Sequence, residues 1–257
     1  MIIPILMYHA LSHVPEVNKY TLDKKEFQNH LEFFHANHYK CITADEYYLN
    51  CSDSLSAIPE KSVLLTFDDG HESDYTFALP LLNKYNFKAT FFITTDWIGK
   101  LGYMNSYQLQ VLKDEGMSVQ SHAKSHSFLD KKHAVVLNQE LELSKKILEQ
   151  TLGSAISFLS FPGGRYNEKV IRYAQRNDYA ALFSSEPFAF KQYGDTYLFG
   201  RYAMKQGAAN TNMQKILDMN ICTRLGSKAS YYGKYICKKT FSTNLYYYLW
   251  GKLIKKS

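Results

Sequence analysis

Residues 62–70 read Ser-Val-Leu-Leu-Thr-Phe-Asp-Asp-Gly, and this stretch decides the fold expected for the chain. The apolar run at 62–67 predicts a buried strand, which ends directly in two adjacent carboxylates, Asp68 and Asp69. Neighbouring carboxylates repel each other, and a strand tip usually tolerates them only when a cation or a shared proton compensates their charge. The pattern predicts a site in which one Asp holds a metal ion while the other handles protons.

Strand-like runs and helical patterns alternate on both sides of this stretch. Apolar runs predict strands at residues 2–7, 61–67, 87–94, 117–121, 156–161, 179–184 and 197–203. Helical spacing predicts helices at residues 23–37, 75–85 with a kink at Pro80, 105–115, 134–152, 167–177 and 212–220, and a capping box at 43–46 opens a further short helix. Repeated strand–helix units imply a parallel sheet. We therefore predict an α/β fold, a closed or nearly closed (β/α)7–8 barrel like a TIM barrel, over residues 1–205.

The charge of the chain is concentrated after Asp218. The formal net charge is +6, yet eight Lys and Arg and no acidic residue follow Asp218, interleaved with Tyr, Phe and Trp. We expect residues 206–257 to form a helical, basic, Tyr-rich extension. Lys with aromatics is typical of a membrane surface, an acidic partner or a nucleic-acid surface, and equally of a solvated extension. We expect no nucleic-acid partner, and the oligomeric state is left open.

Three features that the sequence lacks bear on the cellular compartment expected for the protein. The sequence has no apolar run of 18 or more residues, so no transmembrane helix is predicted. The apolar start lacks a basic leader and a cleavage site, which favours a cytoplasmic protein with membrane association left open. The four cysteines form no C-x-x-C pair and are expected to be reduced thiols: Cys41, Cys51, Cys222 and Cys237.

Chemically capable residues stand where the predicted strands end. His9 follows the first strand, Asp68 and Asp69 follow the second, His122 follows residues 117–121, and Gly163 follows residues 156–161. Parallel barrels collect their catalytic groups at this edge. The spacing predicts one site built from separate strands.

His122 and His126 are four residues apart and could share a cation if the segment turns helically. With Asp69 they make a set of two imidazoles and a carboxylate that leaves coordination positions open. A divalent ion at such a site polarises a carbonyl and lowers the pKa of water towards about 7.

Residues 1–205 resemble the polysaccharide deacetylases of carbohydrate esterase family four. Residues 66–70 match the first motif of that family, residues 122–126 the second, and residues 161–164 the third. Ala123 stands where the family usually has Ser or Thr, so a supporting hydrogen bond is expected to be missing. The Arg that commonly precedes the Pro of the third motif is also absent. Whether Arg165 or Arg201 supports the catalytic base is left open.

The position of the histidine that would act as catalytic acid indicates a particular branch of the family. Most members carry a late His as catalytic acid, whereas this chain has no His after His133. His9, at the tip of the first strand, resembles the early acid of the circularly permuted branch, which includes poly-N-acetylglucosamine deacetylases.

The resemblance implies a role for each of these residues. Asp69, His122 and His126 would bind Zn²⁺, or another divalent metal such as Co²⁺ or Ni²⁺, and Asp68 would be the general base for the attacking water. The implied fold is the distorted barrel of the family.

The resemblance also implies what happens to the substrate. A backbone N–H near Gly163 would stabilise the oxyanion, and His9 would protonate the leaving amine. The expected reaction removes N-acetyl groups from an amino-sugar polysaccharide, oligosaccharide or glycolipid, giving acetate and a free amine. The alternatives are a deacylase of small amides and a non-catalytic carbohydrate-binding protein.

Overall fold

The computed structural model describes residues 2–13, 18, 20–53, 57–207 and 210–218, with positions 225, 226, 228, 229, 231 and 232. The strands are β1 (Ile5–Tyr8), β2 (Leu11–Ser12), β3 (Leu22–Asp23), β4 (Lys40–Ile42), β5 (Ser62–Phe67), β6 (Thr90–Ile93), β7 (Ser118–Ser121), β8 (Phe158–Ser160), β9 (Ala181–Ser184), β10 (Phe190–Tyr193), β11 (Thr196–Gly200) and β12 (Tyr202–Ala203). The α-helices are α1 (Lys24–Ala36), α2 (Ala44–Ser52), α3 (Leu79–Lys84), α4 (Ser106–Asp114), α5 (Ala134–Leu152), α6 (Glu168–Arg176) and α7 (Asn210–Leu217).

One sheet organises the described chain. Its strands follow the order β10-β11-β9-β8-β7-β6-β5-β1-β12, and β4 pairs with β5 beside this path. All its ladders are parallel except β10–β11, which is a hairpin. In the described residues no ladder joins β10 to β12, so the sheet curls into an open, distorted barrel. The predicted α/β barrel class is confirmed.

The centre of the sheet is fixed by stacked aromatic rings. Phe67 of β5 lies between Tyr8 of β1 and Phe91 of β6, with centroid distances of 5.3 and 4.8 Å. All three side chains are fully buried, and burying a large apolar side chain contributes about 1.5–3 kcal/mol. The parallel register sets Tyr8 opposite Phe67, so the residues that follow β1 and β5 emerge side by side.

Local signals at the helix ends agree with the sequence. The capping box at the start of α2 is present, since Thr43 Oγ1 accepts the Glu46 N–H at 3.2 Å and Glu46 Oε2 accepts the Thr43 N–H at 2.8 Å. The longest helix, α5, has the bounds predicted for it and ends at Gly153, whose φ of 62° suits glycine.

Two predicted elements are wrong in detail. The helix expected at 75–85 is a π turn over Asp74–Ala78 that continues into α3, with Pro80 in the first turn of α3. Proline fits there because the first-turn N–H groups have no helical partner. The strand expected at 197–203 is split at Arg201, because β11 pairs with β9 whereas β12 pairs with β1.

Most of the predicted extension lies outside the described residues, which after residue 206 include α7 and the isolated positions given above. The membrane contact expected from the Lys- and Tyr-rich tail falls on that part of the chain. Within the described residues, no helix combines the length and the apolar character needed to cross a membrane. Cys41 and Cys51 are free thiols, and Cys222 and Cys237 lie outside the described residues.

Candidate active site

The ends of β5 and β7 bring three metal-capable side chains together. One ligand atom from each of Asp69, His122 and His126 lies within 4.8 Å of the others. The predicted set of two imidazoles and one carboxylate is therefore assembled by the fold. His71 lies outside this set, with its Nε2 3.5 Å from Asp69 Oδ2.

Asp69 presents a buried carboxylate oxygen to the two imidazoles. Its backbone φ is 81°, an uncommon value for a non-glycine residue, and the following Gly70 has φ 83°. Its Oδ1 atom is buried, makes no hydrogen bond, and lies 3.4 Å from His122 Nε2 and 3.2 Å from His126 Nε2. Buried polar atoms are rarely left unpaired, and each exception needs an explanation.

The environment of His122 presents an unprotonated nitrogen to this carboxylate. Its Nδ1–H donates to the carbonyl oxygen of Ser160 at 2.9 Å, which leaves Nε2 facing Asp69. Burial lowers the pKa of His122 to about 4, against the opposing effect of Asp68. Metal-ligating histidines typically donate their other ring N–H to a backbone carbonyl in this way, which fixes the tautomer.

The donor set fits a divalent metal ion. Two imidazole nitrogens and one carboxylate oxygen are ligands that zinc takes in catalytic sites, where a further position stays open. Burial acts to raise the pKa of Asp69, but the close approach of His126 and His71 holds it well below its usual range. The carboxylate is therefore ionised near neutral pH, and its unpaired Oδ1 is the atom that an ion would satisfy.

Asp68 lies in the opposite kind of environment. Its two oxygens accept two parallel hydrogen bonds from the Arg201 guanidinium, each of 2.7 Å, and a hydroxyl from Ser160 lies 3.3 Å from both. Burial acts to raise the pKa of Asp68, but Arg201 and His122 outweigh it and lower the pKa. Its Oδ2 lies 3.9 Å from His122 Nε2, so this ionised carboxylate borders the metal-capable set.

The structure decides which arginine supports Asp68. Arg201 is 1% exposed and bonds Thr66 Oγ1 as well as Asp68. Arg165 instead forms an ion pair with Asp130, Nη2 to Oδ2 2.6 Å, and lies over the ring of Phe128. Of the two arginines left open by the sequence, Arg201 is therefore the one that bonds Asp68. One signal did mark Arg201, since it is the only charged residue in the apolar stretch 196–203.

His9 follows β1 as expected and shares the electrostatic environment of the carboxylates. Its Nδ1 atom is buried without a hydrogen-bond partner, and its ring centroid lies 5.2 Å from that of Tyr20. Burial lowers the pKa of His9, while Asp69 and Asp68 act in the opposite direction. His9 is thus close enough to both carboxylates for their charges to affect its pKa.

The glycine turn after β8 is required by its surroundings. Gly163 has φ 63°, and a Cβ there would lie 2.6 Å from Cε1 of Phe128. Gly164 has φ 68° and packs directly on Ser185. The turn is therefore confined to glycine, and a role for the Gly163 N–H in binding an oxyanion stays a prediction.

Sequence reasoning missed two residues that organise the site. Ser160 accepts the His122 ring N–H through its carbonyl and bonds both Asp68 and Arg201 through its hydroxyl. Glu140 of α5 bonds the loop between the two imidazoles. Neither residue carries a local motif, and only the folded sheet and helix bring them to the site.

Comparison with known proteins assigns the family. The polysaccharide deacetylase profile matches residues 56–182. YxkH of Bacillus subtilis, whose name assigns it to the polysaccharide deacetylases, is 32% identical over 209 residues, covering 81% of this chain and 74% of YxkH. The chain therefore belongs to the polysaccharide deacetylase family, and it is a hydrolase of the N-deacetylase type.

Two further relatives bear on the branch and the fold. The poly-β-1,6-N-acetyl-D-glucosamine N-deacetylase of Staphylococcus epidermidis is 24% identical over 216 residues, covering 78% of this chain and 74% of that protein. The structure of the Streptococcus pyogenes deacetylase PplD in complex with acetate superposes with a TM-score of 0.77 and 26% identity, covering 84% of this chain and 97% of PplD. The name of the staphylococcal relative agrees with the poly-N-acetylglucosamine deacetylase branch that the sequence resembles, and the role of His9 stays a prediction.

Proposed function

We propose that this protein is a metal-dependent hydrolase that removes N-acetyl groups from an amino-sugar polysaccharide, oligosaccharide or glycolipid, giving acetate and a free amine. The observation that carries the proposal is the pair of neighbouring carboxylates in different surroundings, with one beside two imidazoles and the other held by Arg201. The name of the staphylococcal relative supports an N-acetylated glycan as substrate.

Asp69, His122 and His126 would hold the metal, with Zn²⁺ as the first choice and Co²⁺ or Ni²⁺ as alternatives. When bound, the ion supplies Lewis-acid polarisation of the acetyl carbonyl and activation of water. The protein's own contribution is a carboxylate that stays ionised and an imidazole whose free nitrogen is fixed by Ser160.

Asp68 is assigned as the general base. The Arg201 guanidinium keeps its carboxylate ionised and fixes its orientation, and the single Ser160 hydroxyl shared between the two oxygens leaves one of them able to accept the proton of the attacking water. A positioned base of this kind contributes typically about 10²–10⁴-fold in rate.

His9 is assigned as the general acid and the Gly163 N–H as an oxyanion donor. An amine leaves poorly as an anion, so a proton must reach its nitrogen as the C–N bond breaks. His9 stands beyond the tip of β1, the strand next to β5, and therefore close to Asp68. The turn at Gly163 allows close approach of the backbone to substrate, because no side chain is present.

Acetate release separates the proposed substrate from its rival. Metal-stripped protein reloaded with Zn²⁺ would be given β-1,6-linked N-acetylglucosamine oligomers and, in parallel, small N-acetylated amides. We expect acetate from the oligomers and little from the small amides. Preference for the small amides would support a small-amide deacylase, and no acetate from either would support a non-catalytic carbohydrate-binding protein.

A further inference from the structure

The loop between the two imidazoles is held in an uncommon conformation. Ala123 and His126 have φ values of 60° and 58°. Non-glycine residues seldom adopt such values, which persist where surrounding contacts enforce them. Ala123 is also fully buried and lacks the hydroxyl that the family usually places there. His126 nevertheless lies 3.2 Å from Asp69, so other contacts must set the loop.

Glu140 on α5 provides these contacts. Its Oε2 accepts the backbone N–H groups of Lys124 and Ser125 at 3.1 and 2.8 Å, and its Oε1 accepts the Ser125 hydroxyl. The Glu140 side chain is buried, with the residue 6% exposed. Its hydrogen bonds therefore all join α5 to the loop that carries both imidazoles.

In the part of the chain that the structure describes, no salt bridge to Glu140 is formed. The Lys124 ammonium, which is close enough to interact with the charge of Glu140, bonds Asp96 instead, with its Nζ 2.8 and 3.0 Å from the two carboxylate oxygens. Glu140 is thus a buried carboxylate whose charge is met by backbone N–H groups and a hydroxyl. Charge-assisted hydrogen bonds of this kind hold the peptide groups of the loop in place, and we call this set of contacts the clamp.

Backbone hydrogen bonds from residues after β6 also hold this loop. The carbonyl oxygen of Ala123 accepts the Thr95 N–H at 3.3 Å, and that of Lys124 accepts the Asp96 N–H at 2.9 Å. The peptides next to Lys124 are therefore fixed by the turn after β6 and by Glu140 of α5. His126 follows two residues later, so the direction of its side chain depends on this clamp.

We propose that Glu140 is a positioning residue of the metal site, which sets the loop so that His122 and His126 face Asp69 and replaces the hydroxyl absent at Ala123. This inference rests on the proposed function, because it concerns the ligands of the same metal. The positioning role requires the length of the Glu140 side chain and its hydrogen-bonding capacity, whereas the negative charge itself is dispensable.

Two conservative substitutions separate reach from charge. Glu140→Gln keeps a carbonyl oxygen for the two N–H donors, and its amide can donate to Ser125 Oγ, which in turn can donate to Ser127 Oγ at 2.8 Å. Glu140→Asp keeps the charge but shortens the side chain by one methylene. Glu142→Asp is the matched control, because Glu142 is exposed on the same helix and bonds Asn138.

The measurement is Zn²⁺ affinity of the metal-stripped full-length protein, determined by competition with a chromophoric chelator, with circular dichroism as a check of folding. We expect Glu140→Asp to weaken Zn²⁺ binding about 10–100-fold, the range typical for loss of an outer-shell contact. The Zn²⁺ affinities of Glu140→Gln and Glu142→Asp should stay within about threefold of the parent. Glu140→Gln keeps its hydrogen bonds to the loop, and Glu142 makes none to it.

Weakened binding in Glu140→Gln with unchanged binding in Glu140→Asp would overturn the proposal, because charge would then matter more than reach. Unchanged binding in both would overturn it as well. Failure of the unsubstituted protein to bind about one Zn²⁺ would instead contradict the proposed metal site. The two failures are therefore distinguishable.

Discussion

Asp68 and Asp69 are neighbours in the chain, but they belong to two different regions of the site. The Asp68 region is closed, and we call it saturated because hydrogen bonds from Arg201 and Ser160 reach both carboxylate oxygens. The Asp69 region is incomplete, since Oδ1 is buried between two imidazoles without a hydrogen bond. The saturated region suits a base of fixed charge and orientation, and the incomplete one suits an ion. The difference shows that identical side chains acquire distinct roles from what surrounds them.

The largest expected effect is in the Asp69 region. Asp69→Ala and His122→Ala should each reduce bound metal from about one ion per chain to near zero and abolish deacetylation, because too few ligands remain. Elemental analysis of the purified variants checks this. His133→Ala, at the exposed start of α5, is the control and should keep its metal. Full metal occupancy in both ligand variants would show that the ion binds elsewhere.

The next effect tests proton transfer beside the Asp68 region. His9→Ala should keep the metal yet lower kcat by about 10²–10⁴-fold, the usual contribution of a general acid. Steady-state acetate release from N-acetylglucosamine oligomers, measured alongside metal content, gives the result. A fully active His9→Ala enzyme would remove the early-acid assignment.

Removing Arg201 should destabilise the saturated region. Arg201→Leu leaves Asp68 buried without its cation, and breaking a buried ion pair costs about 3–5 kcal/mol in the free energy of unfolding. In the parent, the pKa of Asp68 is lowered, so its stabilisation is present above the unfolded value of about 3.9 and is lost as the pH falls through the folded value.

In Arg201→Leu, only the weaker influence of the nearby His122 and His9 opposes burial, so we expect the pKa of Asp68 to rise. The unfolding penalty should therefore be larger at pH 8 than at pH 5, as measured by denaturant unfolding of metal-stripped protein. Arg165→Leu offers a comparison, because the partner of Arg165 is Asp130 and not Asp68 or Asp69. Equal penalties for Arg201→Leu at the two pH values would contradict the assigned ionisation of Asp68.

The smallest effect concerns the residue that touches both regions. Ser160→Ala removes a hydroxyl bonded to Asp68 and Arg201 but keeps the carbonyl that fixes His122. We expect a loss of about 1 kcal/mol in the free energy of unfolding, typical of one hydrogen bond, with metal affinity unchanged. Thermal unfolding and chelator competition measure the two quantities. A large loss of metal affinity would mean that the two regions are more tightly coupled than their contacts indicate.

Much of the fold could be predicted because its signals are local. The bounds of α5 follow from the spacing of its apolar residues and from Gly153, and β5 follows from an unbroken apolar run. The three-residue β4 and the mostly exposed β10 were missed, since neither is long or regular enough to show a pattern. The split at Arg201 was missed because the change of strand partner, from β9 to β1, is set by pairing with distant strands.

The kinds of groups at the site could be read from short segments: two carboxylates at a strand tip, two imidazoles four residues apart, and an early histidine. Each of these signals is local. The choice of Arg201 as the partner of Asp68, and the contacts by which Ser160 and Glu140 orient the imidazoles, became visible only in the folded chain. These contacts join residues far apart in the sequence, so their distances depend on the curvature of the sheet and on the packing of α5.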